Sequence, residues 1–391
     1  MRVVDVSTIK LRYTVPVPMA DAIHYMPQRT VLLVRITTDT GLVGTGESAA
    51  YGGSLESMER VILDDLCPSL LGEDPFAVSR LWQRMAYRSQ QRGPAGMLMQ
   101  AMSGVDIALW DLIGQATRTP LYQLFGAYRD RLDAYASAGF YAGNKSSHDL
   151  AEEVGGYAAR GFRGVKIKVG RNPDVLLNPL PDTWSPEYAT ESLEDDIERV
   201  RAARAALGPG VRLAIDANNA WTPATAIGFM HALADQRIAW LEEPVWTEDL
   251  AGSAHVAQVL DVPIAGYETV TGLAGFRDLI AGRAIDIVQP DVIWTGGFTV
   301  CRKVAALAEA YRLPVIPHVF SSAVALAANM HLIASLPNAS WLEFDQNANP
   351  LRSELLETPI ALEPDGFVRL PDGPGLGIAL NPAVIEQYRV P

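Results

Sequence analysis

Between about residues 132 and 344, short apolar runs alternate with longer stretches of helical period, the sequence form of repeated strand–helix units. Strands are predicted at 134–138, 164–169, 212–216, 238–242, 263–266, 286–289, 315–318 and 341–344. Eight such units predict an α/β fold with a barrel of the TIM type. The first fifty residues read differently. Residues 3–13 alternate loosely, 30–38 are β-branched, and Asp39-Thr40-Gly41 turns the chain into 42–47, giving a meander with a long loop at 15–29. Helical period dominates from 57 to about 125, where Val105, Ala108, Leu109 and Leu112 share one face. The Pro- and Gly-rich tail, 360–391, is expected to return to the N-terminal domain. The pattern therefore predicts an α+β domain over 1–130, completed by about 355–391, and a barrel over 131–354.

Six apolar runs close on a polar residue: Asp216, Glu242, Glu268, Asp291, His318 and Glu343, at steps of 26, 26, 23, 27 and 25 residues. One strand, turn, helix and return turn takes about that many in a barrel of roughly 250 residues, and the C-terminal strand ends of that fold build its active site. One interval breaks the rhythm. From Lys168 to Asp216 the step is 48 residues, and the proline-rich 171–192 reads as an insertion on the same face, either a solvated loop or a lid.

Asp216, Glu242 and Glu268 fall on three neighbouring strands, where uncompensated carboxylates repel and raise one another's pKa. A hard divalent cation resolves this, and oxygen-only ligation suits Mg²⁺ rather than zinc. Isolated surface acids would have no reason to share a 26-residue step. In Lys166-Ile167-Lys168 the two lysines point to one side of a strand. Two ammonium groups inside a barrel are costly unless used, and each is expected to depress the other's pKa, leaving a neutral base near pH 7. Asp291 and His318 end adjacent strands, so the carboxylate can fix the imidazole tautomer of a second acid/base group. Glu343 is expected either to donate to a substrate oxygen if protonated or to position a neighbour. The set describes removal of the proton α to a metal-chelated carboxylate. Electrostatic stabilisation of the enediolate must then supply more than about 10 kcal/mol.

A formal charge of −13 leaves no basic footprint, which argues against nucleic acid as a partner. The two cysteines, Cys67 and Cys301, have no metal-like spacing and make no disulfide framework, so a reducing compartment is expected. The start, Met1-Arg2-Val3-Val4-Asp5-Val6, lacks the apolar core of a signal peptide, and no uncharged apolar stretch reaches 18 residues. A cytoplasmic protein without a membrane partner is predicted.

Lys166-Ile167-Lys168, Asp216-Ala217-Asn218, Glu242-Glu243-Pro244, Gly266-Tyr267-Glu268, Gln289-Pro290-Asp291 and Pro317-His318 together resemble the mandelate racemase subgroup of the enolase superfamily. The helix 103–112 and the following Thr119-Pro120-Leu121-Tyr122-Gln123-Leu124-Phe125-Gly126 also resemble it, so the likeness runs over essentially the whole chain. It implies a capping α+β domain drawn from both termini, a modified barrel of the (β/α)₇β type, Mg²⁺, and a homo-oligomer between dimer and octamer. Two departures are Tyr267, where many relatives have glycine, and the long stretch after Gly170. Glu343-Phe344-Asp345 with Asn349-Pro350, Pro371 to Gly377 and Gln91-Arg92-Gly93 look like members acting on sugar acids and their lactones. That likeness implies dehydration of an aldonate or aldarate. Cycloisomerisation of a sugar-acid lactone and racemisation or epimerisation of an α-hydroxy acid stay open beside it. His24, Tyr25 and Arg29 in the capping loop, with Arg92 and Asn218, are the candidate substrate contacts, and their polarity suits a polyhydroxy acid. A metal-binding barrel serving only as an interaction protein would be expected to lose a base residue, and none is missing.

Overall fold

The computed structural model describes residues 1–391 except Pro94, Asn144, 173–174 and 176–191. Three N-terminal strands, β1 (Val3–Ala20), β2 (Tyr25–Thr38) and β3 (Val43–Ser48), form an antiparallel sheet in that order. The stretch expected to be a long loop at 15–29 is instead mostly strand. β1 and β2 extend into a hairpin paired as far as Ala20 and Tyr25, with an irregularity between Thr14 and Met19. Pro16 and Pro18 obscured it in the sequence. They are tolerated because β1 is an edge strand of the sheet, and its free side makes only isolated bridges, at Leu11 and Ala20, away from the prolines. Asp21 closes the hairpin, its Oδ1 accepting from the backbone N–H groups of Ile23 and His24.

The helix Met97–Thr117 packs across this sheet. Gly44 and Gly46 permit the close approach: a Cβ at either would collide with the backbone of Ala108 or Gly104. The apolar face of the helix, with Leu32, Val34, Ile36 and the helices Leu55–Arg60 and Val78–Ser89, makes the core of this domain.

The second unit is a parallel barrel of β4 (Arg131–Ser137), β5 (Gly164–Lys168), β6 (Arg212–Asp216), β7 (Ile238–Glu242), β8 (Ile264–Gly266), β9 (Ile287–Val288) and β10 (Trp341–Asp345). β10 pairs β4. The predicted strand at 315–318 reduces to Val315, which bridges Val288 on one side and Ala339 on the other and so closes the ring. Pro314 and Pro317 flank it, and neither can donate to a ladder. Side chains alternate as the pleat demands. Val165, Ile167 and Val169 pack outward with the surrounding helices, whereas Tyr135, Ala214, Trp240, Ala265, Ile287 and Ile316 fill the barrel interior.

The tail meets both units. β11 (Phe367–Arg369) pairs antiparallel with β4, Gly375 bridges Pro120, and Arg389 bridges Leu11 after the short helix Pro382–Tyr388. A third apolar cluster, including Ile9, Leu11, Ile107, Phe298 and Leu332, joins the capping sheet and its helix to the barrel helices. Among the described residues no helix is long and apolar enough to cross a membrane.

Candidate active site

The barrel register puts Lys168, Asp216 and Glu242 side by side at the C-terminal ends of β5, β6 and β7. Glu268 lies two residues past β8, and Glu343 lies in β10. Lys166 and Lys168 both turn inward and are 1% and 6% exposed, as the i, i+2 spacing predicts.

The two lysines sit among carboxylates. Lys166 Nζ donates to Glu242, lies 2.7 Å from Glu343 Oε1 and is 3.7 Å from Asp216 Oδ2. Lys168 Nζ donates to Asp216 Oδ2 at 2.5 Å. This reverses the expected neutral base. Burial works against the charged form of Lys168, and so does the repulsion of Lys166, but Asp216, Asp21 and Glu268 together outweigh them and the pKa is raised. Glu242 and Glu343 do the same for Lys166. Each lysine has a carboxylate oxygen within hydrogen-bonding distance.

His318 is held from both sides. Asp291 Oδ2 lies 2.9 Å from Nδ1 and Glu268 Oε2 lies 3.0 Å from Nε2. Burial lowers its pKa, but Glu268 and the Asp291 hydrogen bond raise it to about 10. Asp291 is fixed in turn, its Oδ1 accepting from Asn329 Nδ2 at 3.0 Å. Glu343 is ionised: burial raises its pKa, yet Lys166 and His318 bring it down to about 2. It accepts from the N–H of Val319, next to His318. It therefore positions Lys166 and the His318 segment, and is no protonated donor.

Carboxylates outnumber cations here. Among the described residues, Asp216, Glu242, Glu268, Asp291 and Glu343 are paired with only Lys166, Lys168 and His318, and Glu243 lies beside them without an ion pair. Burial and the neighbouring acids raise Glu243, and burial lifts Glu242 to about 7 against the pull of Lys166. Among the described residues no three of these side chains converge as a ready-made ligand set, because the lysines and His318 draw the carboxylate oxygens toward themselves.

A cavity of about 740 Å³ opens over this layer, between the barrel mouth and the β1–β2 hairpin. Lys168, Glu268, His318 and Asn218 line its floor, and Asp21, His24, Tyr25 and Arg29 line its roof. Asn218 adopts a positive φ of 41°, and its N–H donates to Asp216 Oδ1. Arg29 is buried, donates through Nη2 to Asp345 Oδ2 at 2.5 Å, and lies 3.7 Å from the centre of the Phe320 ring. His24 is exposed at the rim and paired with Asp21 at 3.1 Å. The side chain of Arg92 and most of 171–192 lie outside the described residues.

The sequence reading missed several members. Tyr51 lines the cavity, its ring against Trp294 and Phe320 at 5.2 and 5.8 Å. Glu47 reaches from β3 into the barrel, accepting from the hydroxyls of Ser321 and Ser322 and from the N–H of Ala325. Gln289 Nε2 donates to Glu242 Oε2. Glu243 and Gln289 stood within quoted motifs, whereas Tyr51 and Glu47 carried no periodic signal. Tyr267, the departure from glycine, points away from the site and donates to Ser253 Oγ at 2.9 Å in the outer core.

Two family models match the chain. Residues 3–126 match the mandelate racemase/muconate lactonizing enzyme N-terminal domain, and residues 149–384 match the enolase C-terminal domain-like model. The chain belongs to the mandelate racemase/muconate lactonizing enzyme family. Membership places it in the enolase superfamily, as the motifs implied. It is 36% identical to the arabinonate dehydratase of Saccharolobus solfataricus, over 92% of this chain and 90% of that one. It is 32% identical to the D-galactarolactone cycloisomerase of Agrobacterium fabrum over the full length of both. A racemase from Streptomyces coelicolor, solved with bound magnesium, superposes with a TM-score of 0.87 at 32% identity, over 99% of this chain and all of that one.

Proposed function

We propose that the protein is a Mg²⁺-dependent sugar-acid dehydratase acting on an aldonate or aldarate. The observation that carries the reading is the placement of Lys168 and His318 in one cavity. Their strands stand three positions apart one way round the ring and five the other, with the three carboxylate strands between them on the longer path. The donor set fits the ion: Asp216, Glu242 and Glu268 offer oxygen only, at the ends of consecutive strands, in a site with more carboxylates than cations. These three would hold it, and a cation there supplies positive charge opposite the substrate carboxylate.

Lys166, fixed by Glu343, donates to the substrate carboxylate. One of Lys168 and His318, neutral once Asp216 or Glu268 is engaged elsewhere and no longer holds it charged, takes the α-proton. The other, still protonated, delivers a proton to the leaving β-hydroxyl oxygen from the opposite side. The substrate's configuration decides the direction. Loss of α-hydrogen and β-hydroxyl leaves an enol that becomes a 2-oxo-3-deoxy acid. Asp291 holds the tautomer of His318 throughout. Full-length likeness to a galactarolactone cycloisomerase favours a second reading, in which the same enediolate expels a lactone oxygen. A homo-oligomer in the cytoplasm completes the proposal, and light scattering tests the assembly.

The test is a library of aldonates, aldarates and their lactones with Mg²⁺, read for 2-oxo-3-deoxy acids and for exchange of the α-proton with solvent deuterium. Neither product nor exchange from any member would end the reading.

A further inference from the structure

We infer that the end of the substrate remote from the reacting carboxylate is uncharged and hydroxylated: the protein selects mono-acids of the aldonate type over dicarboxylic aldarates. This rests on the sugar-acid reading above and narrows it.

Among the described residues, four cations line the cavity, and each already has a carboxylate. Lys168 is paired with Asp216, His318 with Asp291 and Glu268, His24 with Asp21, and Arg29 with Asp345. The first two stand at the reacting end. At the roof the pairs Arg29–Asp345 and His24–Asp21 cancel. A second carboxylate would enter a partly apolar chamber walled by Tyr51, Trp294, Phe320 and Phe140 and find no net positive charge. Desolvating a charge without a counter-charge is costly, whereas a hydroxyl needs only hydrogen bonds. Of the undescribed residues, 173–174 and 176–191 contain no lysine, arginine or histidine, and Arg92 is the one cationic side chain outside those described.

The polar atoms left over at the cavity suit hydroxyls. Arg29 Nη1, Tyr51 Oη and Asn218 Oδ1 are buried without a hydrogen-bond partner, and all three residues line this chamber. Buried polar groups are otherwise almost always paired. Nη1 donates and the phenol does either at the roof, and Oδ1 accepts on the floor, so a row of hydroxyls along the chain serves all three. A distal carboxylate, acceptor only, serves the two roof groups and leaves its charge unbalanced. Burial keeps the Tyr51 phenol protonated, its pKa raised well above the usual value. The aromatic wall offers a surface to the C–H faces of the same chain.

The experiment compares galactonate with galactarate, which differ only in the distal group, by calorimetric binding in Mg²⁺ and by α-proton exchange in deuterated solvent. Galactonate is expected to bind at least about tenfold more tightly. Tyr51→Phe should weaken galactonate roughly tenfold, as loss of one buried hydrogen bond does, and leave binding of lactate, which has no distal hydroxyl, unchanged. Equal or tighter binding of galactarate overturns the inference. If that preference disappears in Arg92→Ala, the distal cation is Arg92. A Tyr51→Phe effect equal on lactate and galactonate also overturns the assignment, because it would mark a general disturbance. Proton exchange is read separately: mono-acid preference without exchange supports the distal-end inference while sinking the dehydratase reading.

Discussion

Arg29 in β2 and Asp345 at the end of β10 form a buried ion pair across the two domains, 2.5 Å from Nη2 to Oδ2. The guanidinium roofs the cavity while its partner closes the barrel wall, so one contact sets both cap position and chamber shape. Asp345 keeps Asn347 as a second donor, but among the described residues no other cation makes an ion pair with it, Arg352 acting only from a distance. Arg29→Ala is therefore expected to cost about 3–5 kcal/mol, the usual penalty for stranding a buried charge. The double variant Arg29→Met/Asp345→Asn should recover much of that loss. Urea unfolding of the two single variants and the double variant gives the coupling. Additive losses would show that the pair does not join the domains.

Lys168→Ala and His318→Asn should each reduce turnover by at least about a thousandfold with the fold intact, because each removes a proton-transfer group. Packing is little affected. Asp216 retains Lys166 at 3.7 Å, and Asp291 retains Asn329. Steady-state rates with circular dichroism as the folding control check this. Near-normal turnover in either variant would remove that residue from the mechanism.

What the sequence disclosed is what the barrel repeats. A parallel strand ends on the same layer each time, so Asp216, Glu242 and Glu268 announced themselves by spacing, and Lys166 and Lys168 by the pleat. Features without period stayed hidden. Glu47 meets Ser321 across 274 residues and Arg29 meets Asp345 across 316, and no local pattern encodes such pairs. The hairpin at 15–29 read as a loop because Pro16, Pro18 and Pro27 mask the alternation. The charge state of the lysines failed for another reason. It depends on how many carboxylates lie within a few ångströms, and the sequence shows only that both kinds of residue point inward.

His331 makes acid stability a test of packing outside the site. Its Nδ1 accepts from the N–H of Tyr122, and Nε2–H donates to the carbonyl of Leu376, so the ring is held neutral. Burial lowers its pKa from 6.5 to about 4. Between those values the unfolded chain binds a proton that the folded one refuses, so stability is full above pH 6.5 and falls as pH drops toward 4. The loss amounts to about 3 kcal/mol at the lower limit. Asp106, lifted to about 7 by burial, acts in the opposite direction and must be subtracted. Denaturation at pH 7 and 4.5 of wild type and His331→Asn isolates the histidine. The variant should be less stable at pH 7 and lose less on acidification. An identical pH slope in both would mean that His331 titrates normally.

The excess of carboxylates predicts how the protein responds to Mg²⁺. In the metal-free protein, like charge and burial raise Glu242 to about 7 and raise Glu268. A ligand that binds only the folded state stabilises it by about 2.7 kcal/mol at a hundred times its Kd, so Mg²⁺ should raise the melting temperature and a chelator should reverse the rise. The variants separate this from general ionic screening. Glu242→Gln removes one negative charge while Lys166 keeps Glu343 at 2.7 Å and Asp216 at 3.7 Å, so the metal-free variant should be as stable as wild type or more so. It should nonetheless lose the Mg²⁺-dependent rise, because an amide is a poorer partner for a hard cation than a carboxylate. Glu268→Gln should behave alike, with His318 still held by Asp291 at 2.9 Å. Thermal melts with Mg²⁺, with Ca²⁺ and with sodium at matched ionic strength provide the readout. A rise that persists in both variants would place the ion elsewhere. No rise in the wild type would mean that these carboxylates serve only to hold Lys166, Lys168 and His318 in their charged forms.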